Sequence, residues 1–351
     1  MNKKFLALAI LAPAYTLAQA QSNVQVYGLI DANVEYINNA DAAKHSLARL
    51  NSGGANTSRF GFRGTEDLGD GLKAVFQLEG GVKLDTGASD GDIFGRQANV
   101  GLEGSFGRVI AGRSYSTVYD FILPFDPMGY APQYSWATSA GAAGNRKDGL
   151  LTGVSNMVKY QGEFNGIKLG ATYGFGEVAG STSDSAKYAL AAGYTNGPLR
   201  LAAVYSQVNG TTGNAAGAYD KTTATHLAIG YQLGDAKLNG GYRNFKKTFA
   251  TGVADQKSNT FWGGVNYKTT EAFTLTGVVY YQDIKNTTAA LDADPVMYVL
   301  GGKYAMSKRT DLYLVGAYAK AKGNNTVSLS RDDVGYGNSQ TGVTAGIQHR
   351  F

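Results

Sequence analysis

Histidine, cysteine and paired acidic residues could carry out bond chemistry, but in this sequence they are few and scattered. The chain has three histidines, His45, His226 and His349, and no cysteine. A catalytic nucleophile needs a base within hydrogen-bond reach, and no Gly-x-Ser-x-Gly or His-Glu-x-x-His pattern supplies one. Two acidic pairs lie in polar segments without an EF-hand pattern: Asp292 and Asp294, and Asp332 and Asp333. We therefore expect no enzyme active site, no cofactor and no metal site.

The first twenty residues have the pattern of an export signal. Met1–Lys4 is a short basic segment, Phe5–Leu17 is mostly apolar, and Ala18–Ala20 supplies a small-x-small cleavage pattern. An N-terminal membrane anchor is the alternative, but the apolar run is shorter than the ~20 residues that a spanning helix needs. We expect residues 1–20 to be a signal peptide cleaved after Ala20, and residues 21–351 to form the mature domain.

The composition of the chain is unusual for a soluble protein of this size. The sequence has 48 Gly and 23 Tyr, only 17% charged residues and a mean hydropathy of -0.21. Strands with one apolar and one polar face give such a mild average in membrane β-barrels. The net charge of +5 falls to +3 without Lys3 and Lys4, and no basic run interleaved with aromatic residues indicates a nucleic-acid partner.

Runs of about ten residues with alternating polarity repeat from Val24 to Phe351, with turn residues between them. In Leu72–Glu79, for example, Leu, Ala, Phe and Leu alternate with Lys, Val, Gln and Glu. Sixteen strands are predicted, at 24–36, 56–66, 71–83, 92–103, 107–113, 154–163, 166–176, 186–196, 198–208, 222–233, 235–247, 257–268, 271–284, 295–306, 310–322 and 339–351.

The connections between these strands alternate in length. Long polar connections such as Asn38–Ala55 and Gly176–Ser185 take turns with tight ones. The tight connections are seven, at 67–70, 104–106, 165, 197, 234, 269–270 and 307–309. Short periplasmic turns and long external loops are typical of transmembrane barrels, in which closure leaves no unpaired backbone edge in lipid. The pattern predicts an all-β fold, a sixteen-stranded antiparallel transmembrane β-barrel.

The alternation fails at one place in the predicted barrel, between Phe94 and Leu102. The parity that turns Arg96 inward there also turns Val100 and Leu102 inward. A β-bulge would explain this break. A strand that packs against another subunit instead of lipid would explain it equally well.

Several motifs resemble those of the general porins of β-proteobacteria and neisseriae, over essentially the whole mature chain. The most specific are VYGLID at Val26–Asp31, SRFGFRGTEDLG at Ser58–Gly69, FGRQA at Phe94–Ala98, FG at Phe106–Gly107 leading to AGR at Ala111–Arg113, and NMVKY at Asn156–Tyr160. The chain closes on GIQHRF at Gly346–Phe351. A terminal Phe after a basic residue resembles the assembly signal that the barrel-insertion machinery reads in this group, so Phe351 is the expected signal residue.

This resemblance implies a porin of the Gram-negative outer membrane, exported through the periplasm. Each barrel of a homotrimer would enclose a water-filled pore for passive diffusion of small hydrophilic solutes and ions. Lipid, lipopolysaccharide and the barrel-assembly machinery are the other expected partners. The third external loop, residues 114–153, would fold into the lumen and form the constriction. A disordered surface loop is the other possibility, but an aqueous interior of this diameter can hold the segment.

Family members set basic residues of the barrel wall against acidic groups of the infolded loop. Matched by motif, the basic wall residues are Arg59 and Arg96, with Arg113 adjoining them. The acidic candidates are Glu79 on the wall and Asp120 and Asp126 in the loop. Fixed charges in a narrow throat are screened less than charges on an open surface. The opposed charges would therefore select among passing ions and align dipolar solutes.

One departure from the family pattern moderates the expected selectivity. Some relatives carry an arginine within the loop, where this chain has Ala131–Gln133, or just before the NMVKY motif, where it has Leu151–Gly153. Only Arg146 and Lys147 lie nearby. We therefore expect a mild anion preference that depends on the three wall arginines.

Two alternatives remain open from the sequence. A channel specific for a sugar or organic acid would use an aromatic slide, and the loop offers Tyr115, Tyr119, Tyr130, Tyr134 and Trp136. Packing of these rings between the loop and the wall is the simpler interpretation. An outer-membrane barrel enzyme is the other alternative, and the absence of a partner motif for any histidine counts against it.

Overall fold

Antiparallel strands make up most of the chain in this computed structural model, which describes residues 23–138, 151–211, 219–285, 288 and 292–351. The predicted signal peptide, Arg146 and Lys147 lie outside these residues. The strands are β1 (Asn23–Ile37), β2 (Leu47–Ser52), β3 (Arg59–Gly69), β4 (Leu72–Gly81), β5 (Gln97–Gly104), β6 (Gly107–Tyr115), β7 (Gly153–Phe164), β8 (Ile167–Gly174), β9 (Lys187–Asn196), β10 (Leu199–Asn209), β11 (Lys221–Leu233), β12 (Ala236–Thr248), β13 (Gln256–Lys268), β14 (Phe273–Lys285), β15 (Val296–Ala305), β16 (Thr310–Lys320) and β17 (Ser339–Arg350). A helix α1 (Thr117–Ile122) and a 3-10 turn (Leu123–Phe125) follow β6.

The strands form one closed antiparallel sheet in which consecutive strands pair, except that β2 and β3 both pair with β1. Closure comes from β1 and β17, which pair from Leu29 opposite Arg350 to Ile37 opposite Gly342. On its other edge β1 pairs with β3 through its first half and with β2 through its second half. Because β2 and β3 share one position, the barrel has sixteen strand positions, and the predicted fold is confirmed.

The strand β2 was not predicted, because the polar sequence of Asn38–Ala55 indicates a loop. The structure corrects this assignment, since Leu47–Ser52 pairs with Ala32–Ile37 of β1. The carboxylate of Asp31 explains the gap between β2 and β3. It accepts hydrogen bonds from the backbone N–H groups of Gly54, Ala55 and Asn56 at 2.9–3.1 Å, which holds the intervening segment against β1.

Burial alternates along the strands as the sequence pattern predicts. In β11, His226 and Ala228 are buried, while Leu227 and Ile229 between them are about half exposed. The exposed apolar side chains lie on the outer face of the sheet, and Leu300 of β15 is 70% exposed. Outward apolar side chains suit contact with lipid, and the inward positions enclose the lumen.

The seven tight connections predicted from the sequence all fall at junctions of consecutive strands. The first is shorter than predicted, because β3 continues to Gly69 and the turn is Asp70 and Gly71 instead of 67–70. Gly197 and Gly234 occupy two of these turns with φ values of 55° and 54°. This left-handed backbone is open to glycine at little cost. Because the tight turns follow every second strand position of an antiparallel sheet, they lie together at one end of the barrel. Short turns are typical of the periplasmic end.

The irregular region near Arg96 has a simple origin. Strand β5 begins at Gln97, which pairs with Glu79 of β4, whereas Arg96 lies just before the ladder. The backbone N–H of Arg96 donates to the carbonyl of Glu79 at 3.2 Å. Because Arg96 is outside the strand, its direction is independent of the alternation that turns Val100 and Leu102 outward, where they are 60% and 43% exposed.

The segment after β6 packs against side chains on the inner face of the barrel. Ser116 caps α1 by accepting a hydrogen bond from the N–H of Tyr119 at 3.1 Å. The helix buries Val118, Phe121 and Ile122 and contacts β8, β9, β10 and β11. Among the described residues, helices long and apolar enough to cross a membrane are absent.

Candidate functional site

Two arginines and one glutamate meet on the inner wall at the end of the barrel that carries the long connections. Glu79 lies near the end of β4, Arg59 begins β3, and Arg96 immediately precedes β5. The Nε atom of Arg96 is 2.8 Å from Glu79 Oε1, and the Nε atom of Arg59 is 3.8 Å from Glu79 Oε2. Glu79 is 3% exposed. The structure thus brings three of the six predicted constriction residues together.

Two tyrosines that were not predicted at this position complete the cluster. Tyr27 of β1 and Tyr115 of β6 donate hydrogen bonds to Glu79, at 2.8 Å and 2.6 Å. The Tyr115 hydroxyl also accepts a hydrogen bond from Arg96. Tyr27 is an inward residue of the VYGLID motif, so its parity with Leu29 and Asp31 was the signal that could have placed it.

Arg113 lies beside this cluster and is held by neutral groups. Its guanidinium donates to the carbonyl oxygen of Gly95 and to Ser155 Oγ. The register of β6 and β7 shifts at this point, between Gly112 and Ser114. Asn156 in the facing strand has a φ of 54°, a conformation that asparagine tolerates better than most residues. This irregularity brings Arg113 and Ser155 together next to the residue that precedes Arg96.

Asp120 on α1 pairs with the barrel wall. Its carboxylate accepts hydrogen bonds from Lys159 Nζ at 2.8 Å and from Gln161 Nε2 at 2.6 Å. Lys159 also donates to Ser114 Oγ and to the carbonyl of Tyr115, and its side chain is 5% exposed. Lys159 is the lysine of the NMVKY motif and shares its inward face with Gln161. The motif alone did not indicate its partner on the loop.

Asp126 is a buried residue of the loop, and it anchors the loop to the barrel wall. Its two carboxylate oxygens accept hydrogen bonds from Tyr280 at 2.6 Å, from Ser135 at 2.7 Å and from the N–H groups of Tyr130 and Met128 at 2.7 Å and 3.2 Å. Burial raises the pKa of Asp126, and the donated hydrogen bonds oppose this shift in part. The structure places this residue among loop and β14 side chains, and its assignment to the constriction stays a prediction.

Further hydrogen bonds tie the same segment to strands on the far side of the barrel. Trp262 of β13 donates to the carbonyl of Phe125 at 2.9 Å, and Arg243 of β12 donates to the carbonyl of Ala137 at 2.9 Å. Trp136 donates to the carbonyl of Ser328, between β16 and β17, at 3.1 Å. Residues 116–138 therefore start at β6 and are held by strands several positions away around the ring.

The aromatic residues considered for a solute slide fall into two groups. Tyr134 and Trp136 are fully buried, and Tyr130 is 5% exposed. Tyr119 stacks on Tyr115 with ring centroids 4.3 Å apart and contacts Tyr130 edge-on at 5.2 Å. Burial raises the pKa of Tyr119 and of Tyr130, so both hydroxyls stay neutral at physiological pH. The buried rings pack the loop against the wall, and Tyr115 and Tyr119 lie beside Arg96.

Comparison with known proteins identifies the family of this wall and loop arrangement. Residues 7–324 match the family model described as Gram-negative porin.

The chain belongs to the Gram-negative porin family.

Relatives of this porin match it over nearly its whole length. It is 35% identical to outer membrane porin protein 32 of Delftia acidovorans over 100% of both chains. It is 28% identical to major outer membrane protein P.IB of Neisseria meningitidis serogroup B, covering 95% of this chain and 98% of the relative. The solved anion-selective porin from Comamonas acidovorans has a TM-score of 0.80 and 32% identity, covering 94% of this chain and all of that one. The predicted resemblance to β-proteobacterial and neisserial porins is confirmed.

The porin is a channel protein of the outer membrane and not an enzyme, and its histidines lie far apart. His45 pairs with Asp41 at 2.7 Å in an exposed connection, and His349 contacts Thr310 Oγ1 at 2.9 Å. His226 is fully buried in β11, and neither of its ring nitrogens has a hydrogen-bond partner. The parts of the porin that the structure describes contain no group of three or more potential metal ligands.

The acidic pairs of the porin lie near basic side chains. Asp294 bonds to Lys322, and Asp332 bonds to Arg331 at 2.7–2.9 Å. Asp333 joins Glu35 around the guanidinium of Arg49, and Arg49 Nε donates to Glu35 at 2.7 Å. These ion pairs link external connections to each other and to β1 and β2.

Proposed function

We propose that the porin passes small hydrophilic solutes and ions through a throat with a mild anion preference, set by Arg59, Arg96 and Arg113. The observation that carries this proposal is the sharing of one carboxylate, Glu79, by two guanidinium groups. Lys159 and Asp120 balance each other nearby, and Arg113 is held by neutral groups. Positive charge therefore exceeds negative charge at this level of the lumen. The related structure at 32% identity is described as an anion-selective porin, which agrees with this excess.

The loop predicted at 114–153 narrows the lumen in this proposal. Hydrogen bonds from β12, β13 and β14 to residues 125–137 support a path of the segment across the interior. The backbone of this segment lies outside the barrel strands, so at membrane depth its N–H and C=O groups need hydrogen bonds from water or protein. A water-filled lumen supplies the water, and side chains of the barrel wall supply protein partners. Of the two loop aspartates that the structure describes, Asp120 keeps more exposure, with a side chain 20% exposed.

Selection in this throat is electrostatic. A passing anion exchanges part of its hydration for the field of Arg59, Arg96 and Arg113, whereas a cation meets only carboxylates that are already paired. The hydroxyl groups of Tyr27 and Tyr115 fix the Glu79 carboxylate, so the arginines have a defined geometry at the wall. A fixed arrangement costs little reorganisation when an ion passes.

Assembly completes the proposal. Residues 1–20 direct export and are removed after Ala20, and three copies of the barrel associate in contact with lipid and lipopolysaccharide. Phe351 is the residue by which the barrel-assembly machinery recognises the chain. Its backbone pairs with Gly28 in both directions at 3.1 Å, so the residue also lies at the seam of the barrel.

Planar-bilayer recording of the purified porin tests the pore and its charge preference together. We expect stepwise conductance increases in groups of three and a reversal potential in a KCl gradient that favours chloride. The double variant Arg59→Gln/Arg96→Gln should shift the reversal potential toward potassium. The matched control is Lys83→Gln/Lys257→Gln, which neutralises two lysines outside the cluster. A cation-favouring reversal potential in the unaltered porin would refute the proposed preference, and absent conductance from a folded barrel would refute the open pore.

A further inference from the structure

Basic side chains recur on the inner face near the short turns, far from the cluster around Glu79. Every second strand from β4 to β12 has one basic residue on its inner face: Lys73 on β4, Arg108 on β6, Lys168 on β8, Arg200 on β10 and Lys237 on β12. Each lies two residues from a buried inward position. For example, Lys73 precedes Val75, and Arg108 precedes Ile110, which are 5% and 4% exposed. The five therefore form an arc around the periplasmic end of the lumen, which we call the basic arc.

The basic arc has a net positive charge, because its five cations face only three acidic side chains across the described sheet. Asp67 and Glu103 lie directly opposite Lys73 in the sheet, and Glu103 also lies opposite Arg108. Glu163 lies opposite Lys168. Among the residues that the structure describes, none of the five basic side chains is close enough to such an acid to form a salt bridge. The Nε atom of Arg108 is buried and has no hydrogen-bond partner. The cluster around Glu79 differs, since the carboxylate there forms direct ion pairs with Arg59 and Arg96.

Two members of the arc contact the loop that follows β6, and these contacts hold their side chains in place. The ammonium of Lys168 lies 4.5 Å from the ring centroid of Phe121, and the guanidinium of Arg200 lies 5.2 Å from that of Phe125. Arg200 also donates to Asn239 Oδ1 at 2.9 Å. Cation–π contacts and this hydrogen bond restrict both side chains, so a ligand would not have to order them.

The spacing of the basic arc fits a long anion better than a compact one. Adjacent strands lie about 4.8 Å apart, so charges on every second strand repeat at ~10 Å, and the arc spans ~40 Å. A compact anion would contact one member at a time. A linear phosphate chain carries a charge on every unit and has no side chains to accommodate in the lumen. Arginine and lysine both bind phosphate oxygens, arginine through its planar fork.

We propose that the basic arc binds linear oligophosphates that enter the lumen from the periplasmic end. Such a chain lies along the wall from β4 to β12 and obstructs the pore from one side only. This inference rests on the proposed pore for its electrical readout. The site is separate from the cluster around Glu79, because on β4 and β6, the two strands that the sites share, the arc residues lie at the end near the short turns and the throat residues at the other end.

Sided block of the KCl current by a chain of about 15 phosphates, long enough for the ~40 Å arc, tests the inference. The sequence has no cysteine, so Val253→Cys, which is 64% exposed in a long connection, marks the external side for an impermeant maleimide. We expect block from the opposite side at a lower concentration than for tripolyphosphate or orthophosphate. The variant Lys73→Gln/Arg108→Gln/Lys237→Gln should raise the blocking concentration about tenfold. The matched control Lys83→Gln/Lys246→Gln/Lys257→Gln should leave it unchanged.

Several outcomes would overturn the inference. Equal block from both sides, or unchanged block in the triple variant, would remove the basic arc as the site. Equal block by poly-glutamate of the same charge would indicate that the site binds an acidic peptide and does not select a phosphate chain. Titration of the phosphate chain into the porin in detergent micelles, followed by calorimetry, tests binding without conductance. Binding that the triple variant weakens, in a preparation without KCl current, would contradict the pore and leave the arc intact.

Discussion

The Nε atom of Arg96 lies 2.8 Å from one oxygen of Glu79, and the Nε atom of Arg59 lies 3.8 Å from the other. One carboxylate therefore serves two guanidinium groups, and two tyrosine hydroxyls hold it in place. Because two arginines share a single carboxylate, this small group is positive with Glu79 ionised and becomes more positive without that negative charge. Selectivity is then sensitive to the single acidic residue as well as to the arginines.

Glu79→Gln should strengthen the anion preference. The substitution removes the carboxylate charge and leaves both arginines in the lumen, where it should change the energy of a nearby ion by about 0.5–1 kcal/mol at effective dielectric constants typical of protein surfaces. The chloride-to-potassium permeability ratio should rise about two- to fivefold. Reversal potentials in a KCl gradient measure this ratio, with Glu103→Gln as the control on a neighbouring inner row. A ratio that falls in Glu79→Gln would contradict the charge balance described for the cluster.

Asp126→Ala should loosen the loop. Four donors, from Tyr280, Ser135 and the backbone of Tyr130 and Met128, lose their acceptor, at a total cost of about 2–4 kcal/mol. We expect greater current noise and a larger mean conductance in single-channel records. Asp120→Ala is the comparison variant, because it removes a loop carboxylate that is partly exposed. Identical noise in Asp126→Ala and the unaltered porin would show that the loop keeps its position without this anchor.

Acidification should tighten the same anchor. Burial raises the pKa of Asp126 above its value in the unfolded chain, which is about 3.9 for aspartate. For an acid shifted upward, the stabilising contribution is fully present below the unfolded pKa and is lost as the pH rises through the folded pKa. Current noise should therefore decrease between pH 7 and pH 4. Asp126→Asn should lack this change, and an equal decrease in that variant would assign the effect to another group.

Arg49→Gln should destabilise the barrel near β1 and β2. The carboxylate of Glu35 is 1% exposed, and the guanidinium of Arg49 balances its negative charge. A buried carboxylate without its partner costs about 2–4 kcal/mol, less than for a fully buried pair because the arginine side chain is partly exposed. Thermal unfolding in detergent, followed by the shift of the barrel on gels, should begin at lower temperature. Adding Glu35→Gln to Arg49→Gln should recover most of the loss, and no recovery would exclude the unpaired charge as the cause.

The strands of this porin were predictable because each strand repeats a local pattern. Alternating polarity fixes which side chains face lipid, and turn residues such as Gly197 and Gly234 mark the tight connections. The sixteen positions and their order follow from these two signals. Strand β2 was missed because its sequence, Leu47–Ser52, is short, and because the segment that follows it is held to β1 by the distant carboxylate of Asp31.

The contacts of the candidate site were only partly predictable. Motif matching brought Arg59, Arg96 and Glu79 together, since all three lie on or beside neighbouring strands. It did not predict that Lys159 pairs with Asp120 across 39 positions, or that Tyr280 holds Asp126 across 154 positions. Such pairs depend on how the loop crosses the barrel, and a single sequence carries no local signal for that path.

The seam between β1 and β17 has a consequence for how this protein is made. Gln348 donates a hydrogen bond to Asp31 across 317 positions of the chain, so the ring can shut only after every intervening hairpin has taken its place. Until then the free edges of β1 and β17 present unsatisfied backbone groups that invite pairing with other chains. Contacts this remote in sequence also form slowly. The incomplete barrel must therefore be protected from pairing with other chains until closure. This risk ends when β1 and β17 pair at the seam.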